Sequence, residues 1–168
     1  MRYGILLLLL LVVQVGDASG PKGSFAKVPI EVAGAAQIGS MDMALAYDPS
    51  VLRAVWVGKG DLTANALLQG NANPMGKILI AMADPGGITG NGSIAMVEFE
   101  VLGEAGARST LAFTGLEASG VDAMAVPLAN RTGMFTVAET PPTTEKGVCG
   151  PTLVILIATL VLWRRRDA

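Results

Sequence analysis

Between Ile38 and Gly58 the chain reads IGSMDMALAYDPSVLRAVWVG. Met41, Met43, Leu45 and Tyr47 fall on one side of an extended backbone and Ser40, Asp42, Ala44 and Ala46 on the other, the period-2 alternation of a strand with one buried face. Tyr47-Asp48-Pro49-Ser50 ends the run, since an Asp side chain bonds the backbone ahead of it and Pro presets φ for a turn. Val51 to Val57 follows as a second short strand. Phe25 to Val32 alternates in the same way, with Val28, Ile30 and Val32 on one face and Lys27, Pro29 and Glu31 on the other. Pro29 cannot donate to a ladder, which predicts an edge strand or a free N–H side.

Further along, Leu62 to Met75 has no clear period and reads as one irregular strand or a short helix. Lys77 to Asp84 is a strand whose two sets, Ile78, Ile80, Met82 and Leu79, Ala81, Ala83, do not differ enough in bulk to say which faces inward. Asp84 to Gly92 is dense in residues that tolerate φ > 0. It lacks the G-x-x-x-x-G-K-[ST] pattern of a phosphate cradle and has a single carboxylate where a calcium loop needs several, so it is expected to be a plain connecting loop. Ile94 to Leu102 puts Ala95, Val97, Phe99 and Val101 inward and Glu98 and Glu100 outward. Ser109 to Thr114 is a strand, Gly115 to Asp122 a loop or bulge, Ala123 to Leu128 extended, and Met134 to Val137 the last strand. The segments of this middle read in turn as strands and the turns between them.

The two ends differ from this middle. Arg2, the apolar run Ile5 to Val13, and small residues Gly16 and Ala18 form the three-part pattern of a secretory leader, residues 1–18 with a cut after Ala18. The run is too short to span a bilayer comfortably. At the other end, residues 138–147 are a Thr/Pro linker that favours an extended form. Residues 148–168 hold Cys149-Gly150-Pro151, an apolar run to Trp163, and Arg164-Arg165-Arg166, which reads as a stop-transfer anchor with the C-terminus inside. This ordering predicts an exported module, residues 19–137, held at its C-terminus on the extracellular face of the membrane.

Composition narrows the chemistry. The 168 residues carry a formal net charge of −2, and without the three terminal arginines the balance is more acidic still, so no basic face exists for nucleic acid. One cysteine and no histidine exclude an intrachain disulfide and remove the commonest general base and soft metal ligands. No cofactor, metal or catalytic residue is expected. Glu98 and Glu100 lie roughly 6 to 7 Å apart on one strand face, within the range of paired glycosidase carboxylates, but outward strand carboxylates ordinarily only solubilise. Asn91-Gly92-Ser93 and Asn130-Arg131-Thr132 are N-glycosylation sequons in expected turns.

A Gly, an alternating strand ending in Tyr-Asp-Pro, then x-x-Leu and a Val-rich strand closed by Gly resembles the start of a cohesin domain. Lys-Val-Pro-Ile-Glu-Val resembles the second cohesin strand, and Ala-Asp-Pro leading through Gly-Ile-x-Gly-x-Gly into Phe-x-Val resembles a later one. The resemblance covers Phe25 to Val137 in family order, and between a cut after Ala18 and Phe25 it leaves no room for a complete first strand. It implies a jelly-roll β-sandwich of about eight or nine strands that grips a calcium-loaded dockerin with one sheet face, the calcium belonging to the partner. By position it carries Ser40, Asp42 and Ala44 onto that face, Asp42 matching the residue type of cellulosomal cohesins. Leu79, Ala81 and Ala83, or the opposite set, supply the apolar part. In cellulosomes the recruited partners are polysaccharide-degrading enzymes. The Cys-Gly-Pro tail resembles CGP-type sorting signals of archaeal surface proteins, which makes Cys149 a lipid-attachment candidate beside the simple tail anchor.

The rival reading is a structural or carbohydrate-binding sandwich of the cell envelope, with surface glycan as partner. Such modules grip sugar rings with exposed aromatics. Phe25, Phe99, Phe113 and Phe135 are expected in the core, and so is Trp56; an outward Trp56 favours sugar.

Overall fold

Period-2 sequence folds here into two strands much longer than the alternation marks out. The computed structural model describes residues 10–72 and 75–139. In chain order it has β1 (Leu11–Val15), β2 (Ala18–Pro21), β3 (Phe25–Ala46), β4 (Leu52–Lys59), a 3-10 turn (Asp61–Thr63), β5 (Leu67–Asn71), β6 (Lys77–Val101), β7 (Arg108–Gly120), β8 (Leu128–Arg131) and β9 (Gly133–Ala138). β3 and β6 pair antiparallel from Phe25↔Glu100 to Ala46↔Lys77, with register shifts between Ile30 and Ser40. These shifts divide each strand in two. The first half of β3 lies between β1 and the second half of β6, which also pairs β4. The second half of β3 lies between β7 and the first half of β6, which also pairs β5. The curled, all-β sheet is the jelly-roll sandwich that the resemblance implies.

The bend itself corrects the sequence reading. Asp84 to Gly92 is no loop: β6 runs through it, and Ala35↔Gly90 and Ile38↔Ile88 keep it paired to β3. Gly87 and Gly90, at φ 75 and 115, supply the left-handed backbone that kinks a strand without ending it. β7 likewise continues through Gly115 to Gly120, absorbing one bulge opposite Ala44 and Leu45. Leu62 to Met75 contains both of its alternatives in miniature, the tail of the 3-10 turn and β5.

The N-terminus is the larger correction. A first strand is present, and it is Leu11–Val15, inside the stretch read as a leader. Leu11, Val13 and Val15 are fully buried, and the strand pairs antiparallel with β3 and parallel with β8. Outward-facing Gln14 donates from Nε2 to Glu31 Oε2 at 2.7 Å. Gly16, which fits a cleavage motif, has a packing reason to be small, since a Cβ there meets Pro29 Cγ at 2.9 Å. Nor is Pro29 on an edge strand. Its carbonyl accepts from Gly16 N at 2.9 Å, so its missing donor falls where the β1 ladder stops.

Inward side chains of all these strands meet in one core that includes Phe99, Phe135, Ile30, Leu45, Ile78 and Leu111. Tyr47 closes one end, edge-on to Phe99 with centroids 5.2 Å apart. The turn behind it is fixed by Asp48, whose Oδ1 accepts from Ser50 Oγ at 2.6 Å and Ser50 N at 2.8 Å. Both bonds favour the carboxylate, the hydroxyl's first, and hold the Asp48 pKa below its ordinary value. With the folded value below the unfolded one, this contribution is complete above about pH 4 and is lost as pH falls through the folded value. Ser50→Ala is expected to move the Asp48 pKa up toward the ordinary carboxylate value, read by NMR titration of its side-chain carbon. An unmoved value sinks the assignment.

Candidate functional site

The second half of β3 is flanked on both sides, and its alternation therefore builds a four-stranded outer face in the order β5, β6, β3, β7. Register fixes three rows across it: Leu67, Ala83, Ser40 and Ser119; Gln69, Ala81, Asp42 and Glu117; Asn71, Leu79, Ala44 and Gly115. All six residues expected on a binding face thus fall on one surface, as the directly opposed pairs Ser40↔Ala83, Asp42↔Ala81 and Ala44↔Leu79. The open question on β6 is settled by burial. Ile78, Ile80 and Met82 are buried, while Leu79, Ala81 and Ala83 are exposed.

Small side chains at the middle of the face leave a shallow depression of about 490 Å³, lined by Asp42, Ala44, Gln69, Leu79, Ala81 and Glu117 among others. The rows hold two charges, both negative and directly opposed, Asp42 and Glu117. Neither carboxylate has a hydrogen-bond or ion-pair partner among the described residues. Like charges directly opposite destabilise a sheet, so this pair costs the fold rather than helping it. The sequence reading missed the whole β7 contribution, although Leu116 and Ala118 alternate with Glu117 and Ser119 and carry the signal. β5, with Leu67 and Gln69, was hidden by its lack of period.

Two aromatic expectations are overturned. Phe99 and Phe135 are core and Phe113 is half-buried, but Phe25 is 63% exposed and Trp56 49% exposed, both on the outer side of the other half of the sheet. Of the modification candidates, Asn91 is exposed in the kinked part of β6, its Oδ1 accepting from Gly34 N at 2.7 Å. Asn130 is exposed in β8, so neither sequon sits in a simple turn. Cys149 lies outside the described residues.

Residues 11–130 match the family described as cohesin domain. The chain belongs to the cohesin family. The match begins at Leu11, the first residue of β1, so the cohesin module starts upstream of the expected Ser19. Among solved cohesins, a non-cellulosomal one from the hyperthermophilic archaeon Archaeoglobus fulgidus is 30% identical with a TM-score of 0.72, covering 77% of this chain and 92% of its own. The complex of CaDoc0917 with CaCohA2, a protein of Clostridium acetobutylicum, gives 26% identity and a TM-score of 0.70 over 76% of this chain and 99% of that one. A Clostridium thermocellum type I cohesin–dockerin complex, Coh-OlpC-Doc435, is 17% identical with a TM-score of 0.69, covering 78% and 95%, and shares the fold. No curated protein matches the chain in sequence. The cohesin family is one of binding modules rather than enzymes.

Proposed function

We propose that this cohesin is a surface receptor whose β5–β6–β3–β7 face docks a dockerin-bearing protein, with Ser40, Asp42, Ala44, Leu79, Ala81 and Ala83 at the contact and calcium carried by the partner. The observation that carries the reading is the register that sets these six side chains side by side on one open surface with an unpaired acidic row. Four strands span about 14 Å, room for one partner helix roughly 10 Å in diameter. The CaDoc0917–CaCohA2 complex supports the class of partner. In this reading the partner is a polysaccharide-degrading protein, and residues 148–168 hold the receptor on the extracellular side of the membrane, through a lipid on Cys149 or an apolar span. In this reading Asn91 and Asn130 carry glycan.

The full chain in detergent micelles, immobilised and exposed to host lysate with calcium or with chelator, tests this. Retention of a protein with duplicated calcium loops, released by chelator, is the expected result. Retention of nothing, or of an envelope protein regardless of calcium, overturns it.

A further inference from the structure

Opposite the partner face, the outer surface of β4, the second half of β6 and the first half of β3 carries a different set of groups. A bulge between Ala54 and Trp56 turns Trp56 outward, opposite Glu98, which is itself opposite Lys27. The indole then folds down onto its own strand. A Cβ built on Gly58 falls 1.8 Å from Cη2 and 2.2 Å from Cζ2 of Trp56, so the ring occupies the space that any other residue at 58 would need. Gly58 is thereby buried while the indole stays half-exposed.

Polar groups rim the ring. Lys27 Nζ stands 5.9 Å from the ring centroid and has no hydrogen-bond or ion-pair partner among the described residues. The Glu98 carboxylate, half-buried beside it, has none either. In the next row Arg53 pairs with Glu100, and Phe25 lies opposite Glu100. Two cations and two carboxylates leave the patch neutral. An indole held in one place, one free acceptor and one free donor at its edge, and no net charge fit a ligand with an apolar face and a rim of hydroxyls. Protein hot spots sit in well-packed, fully desolvated pockets, whereas this ring stays half-exposed with charged groups at its rim that are unpaired among the described residues, and an anionic polymer needs net positive charge.

We propose that Trp56, Gly58, Glu98 and Lys27 form a carbohydrate-binding platform for a neutral oligosaccharide, distinct from the partner face. The C–H face of one sugar packs on the Trp56 ring, its hydroxyls bond Glu98 and Lys27, and Phe25, roughly 12 Å from Trp56 by strand spacing and rise, receives a sugar further along the same chain. Gly58 preorganises the ring, so little ordering accompanies binding.

The test uses the full chain carrying Trp163→Phe, so that Trp56 is its sole indole, in a polyoxyethylene detergent free of sugar headgroups. Cellohexaose, xylohexaose and mannohexaose are titrated by fluorescence and calorimetry, with oligogalacturonate as the anionic control. Saturable binding of at least one neutral hexasaccharide is expected, abolished by Trp56→Ala and weakened about tenfold by Glu98→Gln, which leaves the ring and fold in place. Gly58→Ala is expected to displace the indole, shift its emission and weaken binding. No binding up to about 10 mM, binding of the anionic oligomer alone, or binding unchanged in Trp56→Ala overturns the proposal, as does a protein ligand that competes for this face while no hexasaccharide binds.

Discussion

A chain that begins at Ser19 is expected not to fold, whereas one that begins at Leu10 is expected to unfold in a single cooperative transition. Removing residues up to Ala18 strips β1 from between β3 and β8 and takes Leu11, Val13 and Val15 out of the core. Each such side chain contributes about 2 kcal/mol on burial, roughly 6 kcal/mol together, against a total stability of about 5 to 15 kcal/mol for a domain of this kind. The loss does not stop there. Val28, Ile30 and Val32 lose the cover that β1 gives them, the backbone of β3 is left unpaired along one side, and β8 loses its ladder. Circular dichroism through a urea titration separates the two chains, and equal midpoints would show that β1 is dispensable. By the same reasoning β1 belongs to the folded protein, and mass spectrometry of the protein purified from its host is expected to find Leu11 still attached.

This error has a physical origin. A run of Leu and Val bounded by small residues is what a leader needs, and it is also what a strand buried on one face and packed against a proline needs. Only the acceptor on β3 and the close approach of Gly16 to Pro29 tell the two apart, and both are tertiary. Alternation was legible where one face is wet, as at Ser40 to Tyr47 and Ile94 to Val101, and there the inward and outward sets agree with the fold. It failed where a bulge changes the phase. Leu52 and Ala54 are buried, so a strict period puts Trp56 inward, and the extra residue Val55 sends it out. The Gly-rich stretch from Asp84 to Gly92 failed for another reason, because glycines that end a strand and glycines that kink one look alike in one dimension.

Asp42→Lys is expected to stabilise the fold and to destroy partner capture. Asp42 is exposed and bonds to nothing among the described residues, so its loss costs no packing. Its replacement converts a like-charge pair with Glu117 into an opposite-charge one, a gain of roughly 0.2 to 1 kcal/mol, seen as a rise in melting temperature of about 1 to 4 °C. At the centre of the docking face the same change places a cation where the partner is expected to bring one. A buried contact of that kind is worth about 2 to 4 kcal/mol, so binding of the captured partner falls by roughly thirty- to a thousandfold. Asp42→Ala gives a smaller loss with a smaller gain, and Glu117→Lys behaves like Asp42→Lys if the row acts as a unit. The opposed signs carry the argument. A sheet selected for stability alone has no reason to keep two unpaired acids face to face, so a residue whose removal helps the fold and harms binding is held there by the partner. Calorimetry with the captured protein, beside thermal melts of the same variants, reads both signs; unchanged capture by Asp42→Lys would place the contact elsewhere on the molecule.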